Sequence, residues 1–85
     1  MSRWDVRFTK QARKDVEKLS PNLREKLRDI LVEVLADDAY AGKRLLGDLE
    51  GSYSYRLTFK DRIVYSLDEK RRILYVEWAR THYGN

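Results

Sequence analysis

The apolar residues of this 85-residue chain change their spacing once, near Asp38, and that change limits what the chain can fold into. Before it, Leu23, Leu27, Ile30, Leu31, Val34 and Leu35 recur at i, i+4, i+7 and i+8, which is one face of an amphipathic helix. After it, Tyr53, Tyr55, Leu57 and Phe59 alternate with Ser54, Arg56 and Thr58, the period of a strand with one covered face. The alternation resumes over residues 62–67, with Ile63, Tyr65 and Leu67 against Arg62, Val64 and Ser66. It returns over residues 72–79, with Leu74, Val76 and Trp78 opposite Ile73, Tyr75, Glu77 and Ala79. Lys60-Asp61 and Asp68-Glu69-Lys70-Arg71 are the turns between these strands. Upstream, Trp4, Val6 and Phe8 alternate with Arg3, Asp5 and Arg7, a further short strand. Thr9 is a helix cap for residues 10–18, where Ala12, Val16 and Leu19 keep helical spacing. Ser20 caps a second helix that opens on Pro21, where the missing N–H costs nothing, and runs to about Asp37. The predicted class is α+β: an N-terminal strand, a helical hairpin, then a three-stranded antiparallel meander completing a sheet with the helices on one face.

Eighty-five residues fit one domain, 1–85, with a marginal core. No cysteine and a single histidine, His82, exclude a disulfide framework, thiolate chemistry and a structural zinc site. No cofactor and no metal are expected. No apolar run approaches the roughly 18 residues of a membrane span. Met-Ser-Arg-Trp-Asp lacks a secretory pattern, so the expected setting is cytoplasmic, without a membrane partner. The net charge is +4, and residues 39–85 carry a surplus of three. An anionic partner is therefore sought in the C-terminal half.

Helices can cover only one face of such a sheet. The other would carry Arg56 flanked by Ser54 and Thr58, Arg62 with Ser66 on the next strand, and Glu77 on the last. Solvated surface arginines are one account of that face, and a bound anion is the other. Tyr53, Tyr55 and Tyr65 fall with the core-facing set, and Trp4 and Trp78 read as core anchors.

Four segments, in order, resemble the RelE/ParE toxin superfamily of toxin–antitoxin systems. They are Val6-Arg7-Phe8-Thr9 with Ala12-Arg13-Lys14-Asp15 and Lys18-Leu19; Gly42-Lys43-Arg44-Leu45 through Gly51-Ser52-Tyr53 to Arg56-Leu57; Asp61-Arg62-Ile63-Val64-Tyr65-Ser66-Leu67-Asp68-Glu69; and Arg80-Thr81-His82-Tyr83. The last is similar to the terminus of the YoeB branch. The resemblance implies a RelE-like fold and a cognate antitoxin as partner. In the RelE and YoeB branches it also implies a ribosome-dependent mRNA interferase that cleaves without a metal. The ParE branch implies a different outcome, inhibition of DNA gyrase without nuclease chemistry. A basic RNA-binding domain outside any toxin system is a third reading of the same charge.

Metal-free RNA cleavage needs a base for the 2′-OH proton, cations for the phosphorane and an acid for the leaving 5′-oxygen. The resemblance assigns Arg62 to the scissile phosphate, where a guanidinium fork suits two phosphate oxygens. It gives Arg56 and Arg80 supporting roles, His82 the general acid and Tyr83 base stacking or phosphate orientation. Lys43, Arg44 and Lys60 are candidate RNA-binding cations. The general base departs from the pattern: the glutamate of the YoeB branch falls at Lys43 or Arg44. Either basic residues serve, as in the RelE branch, or a different carboxylate does, with Glu77 and Glu50 the candidates; Glu77 could equally hold Arg56 or Arg62 in a salt bridge. Gly84-Asn85 extends past the usual end.

Overall fold

The computed structural model describes residues 3–81. Strand β1 (Asp5–Phe8) leads into helix α1 (Lys10–Glu17) and helix α2 (Pro21–Ile30). The two caps are those the sequence specifies: Thr9 accepts from the Ala12 amide and Ser20 from the Leu23 amide. α2 does not stop at Ile30. It continues as a π-turn, Leu31–Leu35, closed by the bond from the Ala36 amide to the Leu31 carbonyl. The wider turn keeps Leu27, Leu31 and Leu35 buried. It also leaves the Val32 and Ala36 carbonyls to the N-terminal segment, which reaches them through Arg3 and the Trp4 amide.

Four more strands follow: β2 (Lys43–Arg44), β3 (Ser52–Arg56), β4 (Asp61–Asp68) and β5 (Ile73–Thr81). They form one five-stranded sheet in the order β1-β5-β4-β3-β2. β1 runs parallel to β5 and the other pairs are antiparallel, so the fold is α+β with a mixed sheet. Covered-face residues meet in rows: Tyr53 with Tyr65 and Val76, Tyr55 with Ile63 and Ala79, Leu67 with Leu74. Ile63, Tyr65, Leu74 and Val76 are fully buried there together with Ala12, Leu27 and Leu35. At roughly 1.5–3 kcal/mol per buried large side chain, this layer is the main source of stability.

Four expectations are corrected. The two-residue strand β2 has no alternating run long enough to show in the sequence, yet it pairs Lys43 with Ser54 and Arg44 with Tyr53. The third strand ends at Arg56 rather than residue 59. Asp61 does not belong to the turn: it opens β4 and is buried, and its carboxylate takes the Thr58 hydroxyl at 2.6 Å. That hydroxyl oxygen also accepts the Lys60 and Asp61 amides, so residues 57–60 close as a turn and Phe59 is expelled to 88% exposure. Trp78, finally, is not a core anchor. β5 is nine residues long against eight in β4, and its register shifts between Val64↔Trp78 and Tyr65↔Val76. Glu77 is the extra residue of a β-bulge. Past it, Ala79 faces the core, while Trp78 and Arg80 face away from the helices.

Candidate active site

The open face owes its geometry to strand register. Arg56 on β3 pairs with Arg62 on β4, and Arg62 pairs with Arg80 on β5. Three guanidinium groups therefore stand in one row across the sheet, on strands about 4.8 Å apart. Like charges directly opposite one another oppose folding. Among the described residues none of the three is paired with a carboxylate, and the same holds for Lys43 and Lys60. Ion pairs among the described residues lie elsewhere, at Arg3–Asp37, Arg7–Asp5 and Arg71–Asp68.

Two shallow clefts meet at Arg62. One, of about 270 Å³, is lined by Lys43, Ser54, Arg56 and Arg62. The other, of about 150 Å³, is lined by Lys60, Arg62, Trp78 and Arg80. Lys43 belongs to the first because it pairs with Ser54 on the open face. Its position is set by the preceding loop. The buried Tyr65 hydroxyl donates to the Ala39 carbonyl at 2.8 Å and accepts the Gly42 amide at 2.9 Å. A Cβ on Gly42 would come within 2.4 Å of that hydroxyl, so only glycine fits this approach. Burial pushes the Tyr65 phenol up to about 12, the Gly42 hydrogen bond opposing that rise, so the phenol keeps its proton through the whole physiological range. In the second cleft the Arg80 guanidinium lies 4.4 Å over the Trp78 ring. A stacked guanidinium is held flat, with its N–H edges free for an anion. Trp78 covers Val64, its cross-strand partner, which is buried although it lies on the open face.

The structure thus brings together Arg56, Arg62, Arg80, Lys43 and Lys60. It separates Arg44, which pairs with Tyr53 and so projects toward the helix-covered side. Glu50 is exposed just before β3 and lines neither cleft. Glu77 does reach the open face, but its carboxylate accepts the Ser66 hydroxyl at 2.6 Å. It makes no salt bridge to Arg56 or Arg62. Ser66 is four residues beyond Arg62 on the same strand, about 13 Å along it. His82 and Tyr83 lie outside the described residues. Trp78 is the site residue that alternation alone places on the wrong face. Its placement depends on the bulge at Glu77, which no spacing in the sequence marks. Among the described residues no group of His, Asp or Glu is arranged to hold a metal ion, and no helix is long and apolar enough to cross a membrane.

Comparison with known proteins agrees with this architecture. The toxin–antitoxin complex RelBE2 of Mycobacterium tuberculosis superposes with a TM-score of 0.86 at 26% identity, covering 94% of this chain and 99% of that one. A YoeB/ParE toxin from Agrobacterium tumefaciens gives 0.80 at 28% identity, over 93% of this chain and 99% of the other. The isolated E. coli RelE toxin gives 0.81 at 25% identity, over 96% and 87%. No curated protein sequence matches significantly. The profile of the ParE-like toxins of type II bacterial toxin–antitoxin systems matches residues 6–84. With nearly its whole length matched, the chain belongs to the ParE-like toxin family of type II bacterial toxin–antitoxin systems.

Proposed function

We propose that the protein is an mRNA interferase: a toxin that enters the ribosome and cuts the message there without a metal. The observation that carries this reading is the Arg56–Arg62–Arg80 row, three cations held in register and, among the described residues, not paired with a carboxylate. In the reaction the 2′-oxygen attacks phosphorus, a P–O2′ bond forms and the P–O5′ bond breaks. The 2′-OH proton passes to solvent water and the 5′-oxygen takes one from the general acid, leaving a 2′,3′-cyclic phosphate and a 5′-OH. Arg62, shared by both clefts, sits where it would hold the non-bridging oxygens, with Arg56 and Arg80 on either side. Negative charge grows on those oxygens in the transition state, and fixed guanidinium groups are worth most at that point. His82 is the proposed acid for the 5′-oxygen, because an imidazole exchanges a proton near neutral pH. Tyr83 is the proposed stacking or phosphate-orienting group. Lys43 and Lys60 flank the row and would track the RNA backbone, and exposed Phe59, next to Lys60, offers a flat surface to a base. Glu77 is tied to Ser66 and Glu50 lies away from the clefts, so this reading assigns no carboxylate base. It gives the larger share of catalysis to positive charge.

The proposed protein partner is a cognate antitoxin. This is supported by the fold shared with a toxin–antitoxin complex, RelBE2. An acidic segment laid over the row would neutralise it. Work on translating ribosomes implies a cytoplasmic location. A second reading comes from the family description, ParE-like: a toxin that inhibits gyrase and performs no cleavage. Expression of wild type beside Arg62→Ala and His82→Gln separates the two. The interferase arrests growth, leaves new 5′-OH ends on translated messages, and loses both effects in the variants. The gyrase reading arrests replication with messages intact. If both variants arrest growth as strongly as wild type, the nuclease assignment is wrong.

A further inference from the structure

Arg80 stands in the cation row only because β5 is bulged, and the bulge is held from the other side of the molecule. β1 accompanies β5 from Ile73 to Val76 and then ends. Beyond Val76 that edge of β5 has no neighbouring strand, and its free backbone groups need other partners. Thr9, the cap of α1, and Asp15 within that helix supply them. The Thr9 amide donates to the Val76 carbonyl at 3.1 Å. The Thr9 hydroxyl donates to the carbonyl of Glu77, the bulged residue, at 2.7 Å, while its oxygen accepts the Ala12 amide as the cap of α1. Two residues further along β5, the Ala79 amide donates to Asp15 Oδ2 at 3.1 Å. The other carboxylate oxygen, Oδ1, is held by Gln11 Nε2 at 2.8 Å. One hydroxyl and one carboxylate thus grip the chain on both sides of Trp78.

The consequence follows from strand parity. In an unbulged β5, residues 78 and 80 would share the face of Leu74 and Val76 and point into the core. The extra residue turns both to the open face, opposite Val64 and Arg62. We propose that Thr9 and Asp15 are positioning residues: by clamping the β5 bulge they set Trp78 and Arg80 in the anion site. The proposal rests on the reading that the arginine row is the working site. Neither residue touches that face, and both act through Arg80.

Two measurements on the full-length chain test the proposal and keep it separate from that reading. The first needs no RNA. With its guanidinium carbon 4.4 Å from the Trp78 ring centroid, the Arg80 Nε–H is expected to carry a ring-current shift, read in a ¹⁵N–¹H spectrum. Asp15→Ala and Thr9→Val are expected to abolish it. Asp15→Asn and Thr9→Ser keep an acceptor and a hydroxyl and are expected to retain it. A shift that persists in both Asp15→Ala and Thr9→Val overturns the proposal. Should Asp15→Ala fail to fold, the Thr9→Val and Thr9→Ser pair decides on the same criterion. The second is affinity for a fluorescein-labelled 2′-O-methyl RNA oligonucleotide, which cannot be cleaved by 2′-attack. Asp15→Ala is expected to weaken binding as Arg80→Ala does, about fivefold. In the Asp15→Ala background Arg80→Ala should then cost less than twofold, whereas Arg56→Ala should cost the same in both backgrounds. If Arg80→Ala costs as much in the Asp15→Ala background as in wild type, Asp15 does not act through Arg80 and the clamp is overturned. A lost ring-current shift with unchanged affinity would overturn the working-site reading instead.

Discussion

The two faces of this sheet obey opposite rules. On the covered face the central rows join apolar partners, and the buried Tyr65 hydroxyl has a carbonyl to donate to and an amide to accept. On the open face the same strands, in the same register, line up Arg56, Arg62 and Arg80. Pairings that stabilise on one side repel on the other. A sheet built for stability alone would have alternated these charges with carboxylates. The chain is not short of them, with 14 acidic residues, yet none is paired with this row among the described residues. The covered face holds the fold, and in the proposed function the open face is left electrostatically unsatisfied for RNA.

If that division is right, substitutions on the two faces should affect different observables. The largest effect is expected on the covered side. Leu74→Ala empties a fully buried position and should lower stability by about 2–5 kcal/mol in urea unfolding. Activity per folded molecule should be unchanged. Arg62→Ala should do the reverse, cutting RNA cleavage about 10²-fold. Its unfolding midpoint should match or exceed that of wild type, because two repulsive pairings disappear. A lower midpoint would show that the row contributes to folding, and would blur the distinction between the faces.

Gly42→Ala probes the junction between them. The new methyl would meet the Tyr65 hydroxyl and the Ser54 carbonyl, at 2.4 and 2.8 Å. A destabilisation of about 1–3 kcal/mol is expected, with a matching loss of the RNA affinity contributed by Lys43. The smallest effect is a pH dependence. The Tyr65 phenol, at about 12 when folded against 10.0 when free, keeps its proton between pH 10 and 12 while the unfolded chain has released it. The unfolded state binds fewer protons there, so stability must fall as pH rises through this window, by up to about 1.4 kcal/mol per unit. Below pH 10 the contribution is complete. Tyr65→Phe should flatten that slope in unfolding curves taken at each pH.

What the sequence discloses follows the same division. Period-2 alternation places Arg56 and Arg62 on one face because β3 and β4 are regular between Ser52 and Arg56 and between Arg62 and Ser66. Caps at Thr9 and Ser20 and the buried stripe of α2 are local, and local chemistry is readable. Alternation misplaces Trp78 and Phe59 for a different reason. The bulge at Glu77 is stabilised by Thr9 and Asp15, more than sixty residues away in the chain. The early end of β3 depends on the side chain of Asp61, five residues past its last pairing. Such contacts leave no periodic trace, and neither does a two-residue strand such as β2. The family resemblance supplies the roles of His82 and Tyr83, which lie outside the described residues.

The most direct test of the central claim uses a message carrying a single 2′-deoxynucleotide at a mapped cut site, translated in a reconstituted system with the wild-type protein. Cleavage by 2′-attack on a phosphate held by the arginine row predicts a cut with cyclic-phosphate and 5′-OH ends in the all-ribose message, and no cut at that site in the deoxy-substituted one. Equal cutting of both messages, or cutting of neither, would contradict it.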